Sequence, residues 1–287
     1  MFVVFLAASL AFFLGCTKNP FGDDEVSLGA RQLRGTVVLD DGKSAEGAYV
    51  WLESFNLGTY TDKDGKFEIT LPLPSNQGIS GDRAGIYTLY SYIANYHLAS
   101  TQVRTLNGEF LLGQHNISDK GELHEPLRMK NFLRIATEVR RAPAPLAALD
   151  TMRVQVMLRL PFQYLGGAVT AYLLKRCEHE SCPPDTFGAI LASKTGSGEI
   201  YMIQNPGATS RDLLIVENSP IVRSMTFLPA KIGLPPGEYE AVPYLWLEHG
   251  ATVPQGIYDS IGKSALGFGS DYLKIPFKRE GGRFVVR

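Results

Sequence analysis

Histidine, cysteine and paired carboxylates are the residues of this chain best able to bind a metal or move a proton, so their spacing is informative. His97, His115, His124, His179 and His249 are dispersed, and none lies in an H-E-x-x-H pattern that would set two imidazoles on one helix face. Cys177 and Cys182 flank His179 in RCEHESC, yet structural zinc takes four ligands and no second Cys/His pair stands at finger spacing. Asp62 and Asp64 precede Gly65; with Gly65 as the sixth residue of a calcium loop, Tyr60 and Leu71 would fall at the first and last ligand positions. Neither has a carboxylate, so a tight turn is expected instead. Gly262-Lys263-Ser264 has the ending of a phosphate loop, but its earlier glycine is needed at position 257, which is Ile257, and Gly256 is one residue out of register. Ser260-Ile261-Gly262-Lys263 and Lys194-Thr195-Gly196 match S-x-x-K and K-T-G of serine acyl-transfer enzymes, in reversed chain order. There is no G-x-S-x-G elbow. The expectation is a chain with no catalytic residue, no metal site and no cofactor.

Cys16 is different. Residues 2–14 (FVVFLAASLAFFL) are uncharged and apolar, and end at Gly15-Cys16. A helix of about 13 residues covers only ~20 Å, short of a ~30 Å hydrocarbon core, and suits the apolar region of a signal peptide. Leu14-Gly15-Cys16 resembles a bacterial lipobox, departing from it at Phe13, where Leu is usual. The resemblance implies cleavage before Cys16, lipid on its thiol, and residues 1–15 as a lipoprotein signal peptide. Residues 16–31 are polar, contain Gly and Pro, lack hydrophobic periodicity, and read as a tether. In an exported chain, setting Cys16 aside leaves Cys177 and Cys182 as an even pair, read as a disulfide closing a tight loop worth about 2 kcal/mol; free thiols or a metal site are the alternatives.

Lys and Arg total 28 against 29 Asp and Glu, a formal net charge of -1, so the basic face of a nucleic-acid binder is not expected. With 45% hydrophobic residues the chain can build a packed core, and 29 glycines and 17 prolines scattered among Tyr and Phe suit many short strands. The expected fold class is all-β, with two β-sandwich domains after a signal peptide.

Strand alternation begins at Gln32. Arg34-Gly35-Thr36-Val37-Val38 is followed by Gly47-Ala48-Tyr49-Val50, then Thr59-Tyr60-Thr61-Asp62-Lys63-Asp64-Gly65-Lys66-Phe67, and then Gly85-Ile86-Tyr87-Thr88-Leu89. Asp64-Gly65 before alternating Lys66-Phe67-Glu68-Ile69 is a hairpin signal, with Phe67, Ile69 and Leu71 inward. In this order the segments resemble the carboxypeptidase regulatory-like domains, which implies a transthyretin-like β-sandwich over residues 32–138, with residues 73–84 as an inserted loop. The peptidase's own H-x-x-E motif is absent, so the resemblance reaches only the accessory domain. With Ala48, Val50 and Leu52 inward, Tyr49 and Trp51 point outward, and Tyr90 and Tyr92 are expected near them. The four form a possible binding surface for a protein, a glycan, or the rest of the chain.

Residues 139–150 read as a linker, and residues 151–287 as a second β-rich domain, expected to be an Ig-like sandwich. Its expected strands cover residues 152–160, 168–174, 200–203, 213–216, 224–228, 239–247 and 272–277, with turns at Pro206-Gly207, Pro235-Pro236-Gly237 and Gly281-Gly282. No helix of ten or more residues is expected. Together these features suggest a non-enzymatic lipoprotein of the bacterial cell envelope, periplasmic or surface-exposed. Its expected partners are membrane lipid through Cys16 and another envelope protein. The alternatives are a glycan-binding accessory lipoprotein, or an enzyme whose site in the second domain uses His179 or His249.

Overall fold

The computed structural model describes residues 28–77, 84–143, 150–162, 166–177, 187–195, 198–203, 208–248 and 253–287. It is mostly β, 50% strand and 12% helix, in several antiparallel and mixed sheets. The N-terminal half contains β1 (Gln32–Leu39), β2 (Tyr49–Leu52), β3 (Leu57–Tyr60), β4 (Lys66–Thr70), β5 (Gly85–Tyr92), β6 (Ala99–Leu106), β7 (Glu109–Phe110) and β8 (Leu127–Met129). One sheet has the order β4-β1-β8, the other β3-β2-β5-β6-β7. The period-2 rule is plain in β4: Lys66, Glu68 and Thr70 are exposed while Phe67 and Ile69 are buried. Phe67 and Ile69 join Leu33, Val37, Val50, Leu52, Leu89 and Val103 in a core between the two sheets.

The turn at Asp64-Gly65 forms as the sequence suggests. The Asp62 carboxylate accepts from the backbone N–H groups of Asp64 (2.9 Å) and Lys66 (2.8 Å), and Gly65 sits at φ +74°. However, β3 pairs with β2 and β4 with β1. The turn therefore carries the chain from one sheet to the other instead of closing the expected hairpin.

The C-terminal half contains β9 (Arg134–Arg141), β10 (Met152–Arg159), β11 (Val169–Cys177), β12 (Ala189–Ser193), β13 (Ile200–Ile203), β14 (Ala208–Val216) and β15 (Ile221–Phe227). Helix α1 (Pro229–Ile232) is followed by β16 (Gly237–Pro243), β17 (Leu245–Leu247) and α2 (Gln255–Ile261). Two 3-10 turns, Lys263–Leu266 and Ser270–Lys274, lead to β18 (Arg279–Gly281) and β19 (Arg283–Val286). The sheet β15-β10-β9-β18 shares a core with β14-β11-β17 and β13-β12-β16-β19, to which Val154, Val156, Ala171, Leu191, Leu214 and Tyr239 contribute. The latter two sheets meet where Leu174 N–H donates to Tyr244 O (3.0 Å) and Gly188 N–H to Leu174 O (2.9 Å).

Three expectations change. The division at residue 138 falls too late, because β9 pairs with β10 along its whole length, from Arg134↔Arg159 to Arg141↔Met152. Residues 134–141 therefore belong with the C-terminal sheets, and residues 139–141 of the expected linker are strand. Residues 272–277 are not a strand: Tyr272 lies in a 3-10 turn and is fully buried. Gly281-Gly282 does more than reverse the chain. At φ +76° and +86° these residues move it from one sheet to another: Gly282 N–H donates to Thr137 O (2.7 Å) in β9, and Ala241 N–H of β16 donates to Gly282 O (2.8 Å).

Candidate functional site

The four aromatic residues lie together on the outer face of the five-stranded sheet, in register as Tyr49↔Tyr92 and Trp51↔Tyr90. Trp51 and Tyr90 stack with ring centroids 5.9 Å apart, and Tyr49 meets Tyr60 at 4.9 Å. They do not form an exposed platform. Tyr49, Trp51 and Tyr92 are 4%, 5% and 2% exposed, and Tyr90 is half-buried. The period-2 rule gives the correct face; what it cannot supply is the cover, which comes from residues 253–277, more than 150 positions downstream on the order of the chain's second half.

The cover is built from short helical pieces. In α2, Ile257 and Ile261 fall at i and i+4 and are buried. They join Val253, Ala265, Tyr272 and Ile275 in one cluster with Tyr49, Trp51 and Tyr92 on one side and Leu174, Ile190, Val242 and Tyr244 on the other. Residues 253–277 thus fill the space between the two halves. Gly256 faces the Trp51 indole so closely that a Cβ there would overlap the ring. The Tyr49 hydroxyl shares a hydrogen bond of 2.5 Å with Ser260 Oγ, and Tyr258 meets Tyr92 edge-on at 5.7 Å and Trp246 at 5.5 Å.

Polar contacts close the rim of this joint. Asn95 Nδ2 donates to Lys278 O (3.0 Å) and to Leu133 O (2.9 Å), while Lys278 N–H donates to Asn95 Oδ1 (2.9 Å). Ala94 N–H donates to Pro276 O (2.7 Å), Tyr60 hydroxyl to Lys274 O (2.9 Å), and Lys278 Nζ to Glu46 O (2.5 Å). Lys43 pairs with Glu280 at 2.7 Å. Behind the rim, the Tyr272 hydroxyl donates to Leu245 O (2.7 Å) and accepts from Leu245 N–H (2.8 Å) and Arg279 Nη2 (3.1 Å), and the Arg279 guanidinium lies 4.2 Å from the Phe277 ring centroid.

Burial sets the charge states in this layer. It pushes the Tyr92 and Tyr272 phenols up, and the Tyr60 phenol up to about 12, so all three are neutral near pH 7. It pulls the Lys278 ammonium down, with Glu46 and Asp41 opposing. The arrangement can hold two β units in a fixed relation. It presents no nucleophile beside a base.

The remaining residues of interest are spread over the molecule. Ser260 of S-x-x-K is engaged by Tyr49, and Lys194 of K-T-G pairs with Glu240 at 2.5 Å. Cys16, Cys182, His179 and His249 lie outside the described residues; Cys177 ends β11, with its backbone opposite Ala208. The disulfide expectation therefore also falls outside them. Among the described residues no group of three His, Cys, Asp or Glu could hold a metal ion, and no helix is long and apolar enough to cross a membrane. A groove of ≈ 970 Å³ on the open face of β1 and β4 is lined by Arg34, Thr36, Tyr60, Lys66, Glu68 and His124, with Arg34 and Glu68 paired at 2.8 Å. Sequence reading missed Asn95, Gly256, Tyr258 and Lys278. The i, i+4 spacing of Ile257 and Ile261 is a signal for the helix that carries Gly256 and Tyr258; Asn95 and Lys278 have none.

No protein-family profile matches the chain, and no curated protein does. Among solved structures, the Bacillus anthracis TIE protein aligns at a TM-score of 0.21 and 9% identity. That alignment covers 76% of this chain and 28% of the other, so this chain spans less than a third of the TIE chain. A likeness at that score carries no argument.

Proposed function

We propose that this chain is a non-enzymatic lipoprotein of the bacterial cell envelope, anchored to a membrane through lipid on Cys16, whose two β-sandwiches act as spacer, scaffold or protein-binding module. In this reading the first sandwich is of the carboxypeptidase regulatory-like, transthyretin-like type, and the second is Ig-like. The observation that carries it is the joint. The one aromatic surface that the sequence marks for recognition is used to lock one half of the molecule to the other, which suits a rigid spacer and removes the platform a glycan binder needs.

The path of the chain supports the same reading. β1 starts at Gln32, paired with Thr70, and ends beside Asp40 and Asp41, near the joint: Tyr96 hydroxyl donates to Asp41 Oδ2 (2.7 Å), and Lys43 reaches Glu280. The tether thus enters at the end of the first half remote from the second, roughly 25 Å away along the strand. Residues 28–31 of the expected tether form a 3-10 turn with Arg31 buried, so the tether proper is residues 16–27, with a reach of at most roughly 40 Å.

The test is detergent phase partitioning of membranes from producing cells, with mass spectrometry of Cys16. The wild-type chain enters the detergent phase with acyl groups on Cys16, and Cys16→Ala stays in the aqueous phase. An unmodified Cys16 in a chain that partitions into the aqueous phase overturns the anchoring.

A further inference from the structure

The open edges of the sheets differ. β3, β7, β8, β13, β17, β18 and β19 are each four residues or fewer, β4 exposes Lys66 and Glu68 along five residues, and β15 has seven. β14 runs for nine residues, Ala208–Val216, without proline or lysine. It pairs with β11 on one side, and among the described residues no strand pairs with its other edge. Its outer edge is a template for another strand: among the described residues no strand covers it, and its charges are confined to Arg211 and Asp212, ahead of the apolar run Leu213–Val216.

Its outer face is apolar at the centre and charged at both ends. Leu213 and Ile215 are each 55% exposed, beside Tyr172 and Thr170 of β11. Arg211 is exposed two residues before Leu213, its guanidinium carbon 6.0 Å from the Tyr172 ring centroid. Glu217 is exposed two residues after Ile215. Among the described residues neither has an ion-pair partner, whereas Asp212 on the other face is held by Arg223 at 3.0 Å.

This pattern is self-complementary. An antiparallel copy centred on Leu214 sets Leu213 opposite Ile215 of the second copy and Arg211 opposite Glu217 of the second copy. Each contact occurs twice, as a two-fold axis requires. We infer that the chain forms a two-fold dimer through edge-to-edge pairing of β14, joining the two β14-β11-β17 sheets into one continuous sheet. This deepens the scaffold reading above by naming a second copy as the partner, and it does not depend on the lipid. Charge and apolar pattern favour a copy over an unrelated extended peptide, since the required partner sequence is that of β14 itself.

The experiment is sedimentation equilibrium of the full chain in density-matched detergent, with far-UV circular dichroism as a control for folding. The wild type is a dimer. Arg211→Glu turns two attractive cross-strand pairs repulsive and weakens the dimer roughly tenfold or more. The double variant Arg211→Glu/Glu217→Arg restores the pairs with their signs exchanged and recovers the wild-type affinity. Leu213→Lys leaves a monomer. A monomeric wild type, a dimer insensitive to Leu213→Lys, or a folded double variant that fails to recover each overturns the inference, as does a monomer whose edge takes up an apolar peptide. Phase partitioning of the same samples separates the two readings. A dimer that does not partition leaves this inference standing without the anchor, and a monomer that does partition overturns it alone.

Discussion

Asn95 and Lys278, 183 positions apart, are hydrogen-bonded in both directions: the Asn95 carboxamide donates to the Lys278 carbonyl at 3.0 Å and accepts from its N–H at 2.9 Å. The same side chain donates to Leu133 O at 2.9 Å, so one buried amide fixes the end of β5, the start of β9 and the approach to β18. Asn95→Ala leaves the Lys278 N–H and C=O without their partner in a part-buried site, while Leu133 O keeps Asn131 Nδ2 (3.1 Å), and is expected to cost about 2–4 kcal/mol. Equilibrium denaturation measures the loss, and native-state hydrogen exchange at Lys278 locates it. Unchanged protection at Lys278 would refute the clamp.

Gly256 is expected to resist substitution even though it lies in the first turn of α2. Gly→Ala gains at most about 1 kcal/mol in propensity, the value for a helix interior. Here the new Cβ meets the buried Trp51 indole, and overpacking of this kind costs about 1–3 kcal/mol. The steric effect wins, so Gly256→Ala destabilises. Adding Trp51→Phe frees space, and the pair of substitutions together costs less than the sum of each alone. Additive costs in that double-mutant cycle would sink the claim that the two residues touch.

Alkaline pH should loosen the joint. Burial and the neighbouring Tyr49 push the Tyr60 phenol up to about 12, whereas its unperturbed value is 10.0. Above the lower value the unfolded chain releases a proton that the folded chain keeps. The contribution of this group is therefore complete below about pH 10 and is lost as pH rises towards about 12. Tyr60→Phe loses the bond to Lys274 O, costing roughly 0.5–1.5 kcal/mol at neutral pH, but its stability declines less steeply above about pH 10. Denaturation curves across this range decide it; parallel declines in the two proteins contradict the assignment.

At the crossing between sheets, Gly281→Ala combines a left-handed backbone with a Cβ driven against Thr137 O. The expected loss is at least about 2 kcal/mol, since the left-handed strain alone is roughly 1 kcal/mol and the obstacle is main chain. Gly42→Ala shares a positive φ but meets open space, and serves as the control for strain without the clash. Equal losses at the two sites would show that the contact with Thr137 contributes nothing.

The first half was legible wherever alternation and turn chemistry coincide. Phe67, Ile69 and Leu71 are inward as expected, and Asp62 caps the Gly65 turn. Legibility ended at pairing. Periodicity puts Tyr49 and Trp51 on the outer face but does not identify α2 as the element that covers them, because that contact is set by packing across the whole chain. β12 (Ala189–Ser193) is a short, continuous apolar run with no period to read, whereas the mixed apolar pattern of residues 272–277 suggests a strand where the chain makes a 3-10 turn that buries Tyr272. β9 was placed in the wrong half because its alternation fits either neighbour; only its register with β10 decides. Asn95 left no signal at all, since an asparagine after a strand usually marks a turn.

The position of the cover in the chain has a consequence for synthesis. The N-terminal sheets are complete by Met129, whereas the residues that cover Tyr49, Trp51 and Tyr92 begin at Val253, and the clamp on Asn95 waits for Lys278. At ~5–20 residues per second, a chain that emerges N-terminus first spends roughly six to thirty seconds with its first half able to fold and its aromatic face bare. Every copy passes through that interval, and its length depends on the sequence separation and the rate of emergence, not on the strength of the finished joint. A pause in emergence between these two points would therefore lengthen the exposure of that face without altering a single contact in the finished fold.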